Sequence, residues 1–253
     1  MGKIISVTNQ KGGVGKTTTC VNLAAYVADA GKKVLLIDID PQGNACASLG
    51  VEVGKGKNSI YEVLLGEIQA KDAIYKSVVK NLDVLPSTVD LAGAEVDLVY
   101  VDNRENVLKE ALKDVKDTYD FIFIDCPPSL GLLTVNALTA TDSIIIPIQC
   151  EYFPLVGLGQ LMNTVRLIKK HLNPTIEIEG VLLTMKDNRS NLVTQVADEI
   201  RKYFETKVYD TYIPRNIRLA ESPSHGKPIL LYDSKSKGAV AYKALCEEFM
   251  RKQ

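Results

Sequence analysis

Between a short apolar run, KIISVT at residues 3–8, and a helical pattern that begins at Thr17 lies the stretch NQKGGVGK. No other segment constrains the fold as tightly. Gly12, Gly13, Gly15, Lys16 and Thr17 follow the spacing G-x-x-x-x-G-K-[ST], in which successive backbone N–H groups and the next helix's N-terminus face phosphate oxygens. Glycines let the backbone approach where side chains would block it. A strand before the turn and a helix after it are what such a loop requires. Lys16 is then expected on the β- and γ-phosphates, with the Thr17 hydroxyl on Mg²⁺. The contacts expected of the loop run through Lys11, Gly12, Gly13, Val14, Gly15, Lys16, Thr17 and Thr18. One position departs from the pattern: Gln10 stands where the first glycine normally does, and Lys11 follows it directly.

Short β-branched runs alternate with helical patterns along the rest of the chain, the order that builds a parallel sheet. The expected strands are 3–8, 33–38, 82–85, 121–125, 143–147 and 178–184, and FIFID and SIIIP read as the continuous apolar runs of strands buried on both faces. Helices are expected near 17–30, 104–117, 132–140, 155–171 and 191–204. No linker or repeat divides the sequence, so residues 1–253 are expected to form one α/β domain. With 46% apolar and 24% charged residues and a net charge of −1, any nucleic-acid contact has to come from a local patch. A strand starting at Lys3 is taken to leave no room for a signal peptide or an N-terminal DNA-binding module, and no apolar run reaches spanning length. The expected location is cytoplasmic. Five cysteines, none in a C-x-x-C pair, suggest neither a disulfide framework nor a zinc site.

Two strands end in acid. FIFIDCPPS puts Asp125 at the carboxyl end of an apolar strand, where α/β sheets keep their ligands, and a carboxylate there is expected to hold Mg²⁺ directly or through water. LLIDIDPQGN supplies Asp38 and Asp40 two residues apart, which an extended backbone would point the same way.

KGGVGKTT resembles the deviant Walker A motif of the ParA/MinD ATPases. DIDPQGNA, LAGAE, DCPPSLGLLTVNAL, PIQCEY, EGVLLT, IPRN and SPSHGKPI widen the likeness to chromosomal ParA proteins of the Soj type over essentially the whole chain. The resemblance implies a P-loop NTPase fold, a mostly parallel sheet flanked by helices on both faces, and ATP and Mg²⁺ as cofactors. It implies that Lys11 crosses an ATP-dependent homodimer to phosphates of the other subunit, that Asp40 positions the attacking water, and that residues 125–131 form a second switch. Asp38 is expected to support the metal shell or the loop. The family's dimers bind double-stranded DNA without sequence preference on the nucleoid. A ParB-type centromere-binding partner stimulates their hydrolysis, and some members act on a replication initiator.

IPRN matches the family's base-contacting segment, which makes Pro214 and Asn216 the expected adenine contacts; the residues alone fit a turn equally well. Arg189 and Arg218 match its DNA-contacting arginines. Lys186, Arg215, Lys227, Lys235 and Lys237 are further candidates for the same patch, each more often a solvated charge in isolation. Three alternatives are weaker. A MinD-like membrane ATPase needs a basic amphipathic C-terminal helix, whereas GAVAYKALCEEFMRKQ reads as a helix that packs on the domain. An iron–sulfur protein needs a second cysteine beside Cys126. A ligase of the dethiobiotin synthetase type needs a substrate pocket for which no residues stand out.

Overall fold

The computed structural model describes residues 2–54, 58–150, 154–186 and 191–253, with backbone alone at 154–157 and 191–192. In chain order its elements are β1 (Lys3–Val7), α1 (Lys16–Asp29), β2 (Val34–Asp38), α2 (Asn44–Ser48), α3 (Ile60–Leu64), β3 (Tyr75–Lys76), β4 (Leu82–Leu85), α4 (Leu91–Asp97), α5 (Val107–Ala111), α6 (Lys113–Lys116), β5 (Phe121–Asp125), α7 (Leu132–Ala140), β6 (Ser143–Gln149), α8 (Pro154–His171), β7 (Glu177–Thr184), α9 (Asn191–Phe204), α10 (Ile217–Glu221), α11 (Ile229–Tyr232) and α12 (Lys237–Arg251). The strands form one sheet in the order β3-β4-β2-β5-β1-β6-β7, parallel except for the edge pair β3–β4. This is the expected α/β architecture.

Alternation along the strands sorts side chains between two layers. Ile5, Val7, Leu36, Phe121 and Phe123 face a layer built on α1 and α12, where Phe249 meets Phe121 edge-on at 5.4 Å between ring centroids. Ile4, Leu35, Ile37, Ile122 and Ile124 face the opposite layer with Leu91, Leu108 and Leu133. A third apolar cluster continues under β6 and β7, against α8 and α9. The C-terminal helix α12, capped by the Ser236 hydroxyl, buries Tyr242, Leu245 and Phe249 in the core. As expected, it packs on the body of the protein.

Register places the chemistry. Val7, Asp125 and Asp38 stand side by side at the carboxyl ends of β1, β5 and β2. The loop that follows β1 therefore opens directly over the two acidic strand ends.

Two expectations shift. The helix expected over 104–117 begins only at Val107, because Asn103 takes a left-handed conformation and residues 103–106 close a turn. It also breaks at Leu112 into α5 and α6. The side chain of Asn136, on α7, accepts from the Leu108 N–H and so supplies the cap the local sequence lacks. The strand β3 is only two residues long, too short to leave a periodic signal.

Candidate nucleotide site

The loop is tied down at three points before any ligand is considered. The Asn9 side chain accepts from the Lys11 N–H at 3.0 Å and donates to the Pro147 carbonyl at 2.7 Å, which fixes the loop's entry to β6. Thr184, the last residue of β7, donates its hydroxyl to the Val14 carbonyl at 2.8 Å. At its exit, Gly15 caps α1 with φ of 87°, a left-handed conformation that favours glycine, and no side chain satisfies the helix's first N–H groups. Those donors are open to an anion. A side chain added at Gly12 or Gly13 would meet nothing within 4 Å, so the loop's outer surface is bare backbone.

Lys16 is 7% exposed and donates from Nζ to the Lys11 carbonyl at 3.2 Å. Burial lowers its pKa; the nearby carboxylates, Asp125 first and Asp40 less, oppose that shift. Lys11 lies at the exposed rim, and Thr17 and Thr18 are half-buried at the start of α1.

Asp125 is fully buried, and neither carboxylate oxygen has a hydrogen-bond partner. Burial first, and then the charge of Asp38, push its carboxyl well above the usual range; the neighbouring Thr17 hydroxyl pulls the other way without completing a hydrogen bond to either oxygen. Asp38 is equally buried but fully engaged. Its Oδ1 accepts from the Asp40 N–H, and its Oδ2 accepts from the N–H groups of Ala45 and Cys46 and from the Cys46 thiol. Asp38 thus caps α2 and closes the loop after β2. Of its two expected roles, support of the loop is the one its bonds perform. Asp40 is half-buried, close enough to Lys16 to act on its charge, and accepts from the Gln42 N–H at 3.0 Å.

A second cleft of about 380 Å³ opens beside the loop, lined by Gly15, Thr18, Thr184, Pro214, Asn216 and their neighbours. The structure therefore brings Pro214 and Asn216 to the phosphate loop across 200 residues of sequence. Ile213 N–H donates to the Leu183 carbonyl, and Lys186 N–H to the Ile213 carbonyl, which anchors the 213–216 segment on the end of β7. Asn216 also caps α10, its side-chain oxygen accepting from the Arg218 N–H at 2.9 Å, which leaves the amide NH₂ as the group that can donate.

Of the two arginines expected at DNA, Arg189 lies outside the described residues. Arg218 is exposed but ion-paired, with Nη1 at 2.9 Å from Glu221 and Nε at 3.6 Å from Asp233. Lys186 sits over the Tyr212 ring, 4.4 Å from its centroid. Arg215, Lys227, Lys235 and Lys237 are exposed. Cys126 is buried, its thiol pushed up to about 12 by burial and then by Asp125, which suits a small core residue.

Several residues of the site carry no recognisable sequence pattern. Thr184 anchors the loop from a strand end 170 residues away. Thr8 Oγ1 and Gln10 Oε1, flanking the loop's entry, are buried without partners, as Asp125 is. The one legible signal was Asn9, whose side chain bonding its own backbone two residues on is a common turn habit.

A family model described as an AAA domain matches residues 2–178. The sporulation initiation inhibitor protein Soj of Bacillus subtilis is 60% identical over 248 residues, covering 98% of both chains. The chromosome partitioning protein ParA of Myxococcus xanthus is 52% identical over all of this chain and 89% of its own. Among solved structures, a cobyrinic acid a,c-diamide synthase from Mycobacterium smegmatis with bound ATP analogue and magnesium superposes with a TM-score of 0.87 at 37% identity, covering 99% of this chain and 95% of that one. The cell division ATPase MinD of Pyrococcus furiosus does so with a TM-score of 0.81 at 32% identity, covering 99% of both. Full-length identity at this level, on a sheet whose acidic strand ends meet a lysine-bearing phosphate loop, places the chain in the Soj/ParA family of chromosome-partitioning ATPases.

Proposed function

We propose that the whole chain works as one domain, an ATP-dependent dimerising switch that binds DNA without sequence preference and releases it on hydrolysis. The observation that carries the reading is Asp125. Two buried carboxylate oxygens without donors are costly unless a cation completes them. They lie beside Lys16 and Thr17, at the foot of a loop whose N–H groups are open. No group of three or more acidic, histidine or cysteine side chains that could hold a metal occurs among the described residues. A cation here would share one carboxylate and a threonine hydroxyl with phosphate oxygens and water, the donor set that suits magnesium. When bound, Mg²⁺ supplies charge neutralisation across the β- and γ-phosphates.

The chain's own residues do the rest. The open N–H groups of residues 12–18 cradle phosphate oxygens, and Lys16 exchanges the Lys11 carbonyl for a phosphate oxygen. Asp40 orients the attacking water, held in place by the loop that Asp38 fastens. Pro214 and Asn216 face the adenine edge. Lys11, at the rim, reaches the phosphates of a second subunit and ties hydrolysis to dimerisation. Joining two subunits doubles a basic patch containing Arg218 and Arg189, which multiplies weak phosphate contacts into a salt-sensitive footprint on the nucleoid. A ParB-type partner that stimulates hydrolysis, and a replication initiator as a second target, follow from kinship with Soj and ParA. A membrane-positioning role is disfavoured: α12 spends its apolar face on the core, and no helix among the described residues is long and apolar enough to cross a bilayer.

The test is DNA binding with ATP, with ADP and without nucleotide, on unrelated duplexes at two salt concentrations. Binding should require ATP, weaken steeply with salt and disappear in Lys11→Ala. Asp40→Ala should stay bound to DNA and hydrolyse at least about a hundredfold more slowly. Hydrolysis by Asp40→Ala at the parental rate would remove it from the mechanism.

A further inference from the structure

The segment LAGAE belongs to no step described so far. Its glutamate, Glu95 on α4, leans across to the loop that begins at Asp125. A Cβ built on Gly131 would sit 2.1 Å from Glu95 Oε1, 2.9 Å from Cδ and 3.1 Å from Oε2, and it would meet no atom of another residue as closely. Gly131 immediately precedes α7 as its cap residue, and no side chain caps that helix. Glu95 Oε1 is buried and has no hydrogen-bond partner. A carboxylate oxygen is thus stored without a donor beside a helix start whose N–H groups have no cap, a pairing that both sides favour electrostatically.

The loop between these points is arranged to supply the donor. Pro127 and Pro128 have no N–H, so after Cys126, whose N–H is taken by the Val7 carbonyl, the next donors are Ser129, Leu130 and Gly131. The Thr134 hydroxyl, bonded to the Ser129 carbonyl at 2.7 Å, fastens the loop's far side to α7. A small displacement at 129–131 would bring an N–H onto Glu95 and move with it the chain that carries Asp125. An orphaned buried acceptor penalises the arrangement seen here and favours the one that satisfies it.

We propose that Glu95 is a positioning residue for the hydrolytic step: it accepts a backbone N–H of residues 129–131 when the 125–131 loop closes on nucleotide, and Gly131 is glycine to leave its carboxylate that place. The proposal rests on the reading of the chain as an ATP-hydrolysing switch. Glu95 itself does not touch the reacting atoms.

The experiment compares Glu95→Ala, Glu95→Gln, Gly131→Ala and the double variant Glu95→Ala/Gly131→Ala. It reads kcat and KM for ATP, together with hydrogen exchange of residues 126–135 in the presence and absence of Mg²⁺ and nucleotide. Glu95→Ala should lower kcat by about tenfold to a hundredfold and leave KM within about twofold. In that variant residues 126–135 should exchange as fast with ATP as without it. Glu95→Gln keeps an accepting oxygen and should retain most of the parental kcat. Gly131→Ala, whose methyl displaces the carboxylate, should resemble Glu95→Ala, and the double variant should be no better than either. Recovery of parental kcat in the double variant would mean that the contact only fills space, and would overturn the proposal. So would parental kcat and exchange in Glu95→Ala. Should the parent itself fail to hydrolyse ATP, the ATPase reading fails. Exchange then decides alone: slowing at 126–135 on addition of Mg²⁺–ATP that the parent shows and Glu95→Ala lacks supports the contact, and the same slowing in both refutes it.

Discussion

At the phosphate end of the site, most of the residues that matter share one loop and the strand ends beside it, and several of their polar atoms wait unsatisfied: the first N–H groups of α1, both oxygens of Asp125, and the side-chain oxygens of Thr8 and Gln10. At the end proposed to take the base and DNA, the residues come from scattered short elements, and the polar groups of Asn216, Arg218 and Lys186 are already engaged. Asn216 caps α10, Arg218 is paired with Glu221 and Asp233, and Lys186 rests on Tyr212. The first end is built to receive charge and is incomplete without it; the second has to give up an internal partner, or share one, to receive anything. Stability and function should therefore oppose one another at the first end and coincide at the second.

The largest effects belong to Asp125. Asp125→Asn removes a buried negative charge that nothing in the fold neutralises and that the neighbouring Asp38 opposes, so the nucleotide-free protein should unfold about 2–4 °C higher, corresponding to about 1 kcal/mol. The same variant should lose the Mg²⁺-dependent stabilisation by ATP that the parent shows. Thermal melts with and without Mg²⁺ and nucleotide read both quantities. A nucleotide-free melting temperature clearly below the parent's would show that Asp125 is satisfied internally, and the contrast between the two ends would lose its main support.

Next comes Asn216, which caps α10 and, in the proposed function, also reads the base. Asn216→Ala should cost about 1 kcal/mol through the lost cap and weaken ATP by about tenfold. Asn216→Asp keeps an accepting oxygen for the Arg218 N–H and removes the amide donor. It should therefore hold the parental melting temperature while losing most of the preference for ATP over GTP. If Asn216→Asp bound the two nucleotides as the parent does, the amide would have no part in reading the base. Thr184→Val is a milder probe of the loop's anchorage. Losing the bond to the Val14 carbonyl should cost about 1 kcal/mol of stability and about fivefold in nucleotide affinity, measured by titration of the Mg²⁺–ATP complex.

The same contrast explains what was readable beforehand. The glycines, Lys16, Thr17 and Asp125 announce themselves because a phosphate loop and its acidic strand end are local patterns, each fixed by backbone geometry within a few residues. The core strands were legible because strands buried on both faces are apolar throughout. What stayed hidden depends on long-range contacts. Asp38 caps a helix that starts six residues later; Asn136 caps α5 from another element; Thr184 holds the loop from β7. The neutralised state of Arg218 is also invisible in sequence, since Asp233 lies fifteen residues beyond it. A charged residue's type shows that it is able to bind DNA phosphate, and only its neighbours show what it must release first.

That last point yields the smallest and most selective effect. Arg218 is exposed and Glu221 half-buried at the surface, and such ion pairs contribute little to folding, so Glu221→Gln should leave the melting temperature nearly unchanged. It should free Arg218 for a phosphate and raise ATP-dependent DNA affinity by about twofold to fivefold, with a slightly steeper dependence on salt. Arg218→Ala should do the reverse, and combining it with Glu221→Gln should cancel most of the gain, because the gain acts through the arginine. The double variant separates this from a mere change in net charge, which would raise affinity whether or not Arg218 is present. Full retention of the Glu221→Gln gain in the Arg218→Ala background would place the DNA contact elsewhere on the basic surface and leave Arg218 a structural partner of α10.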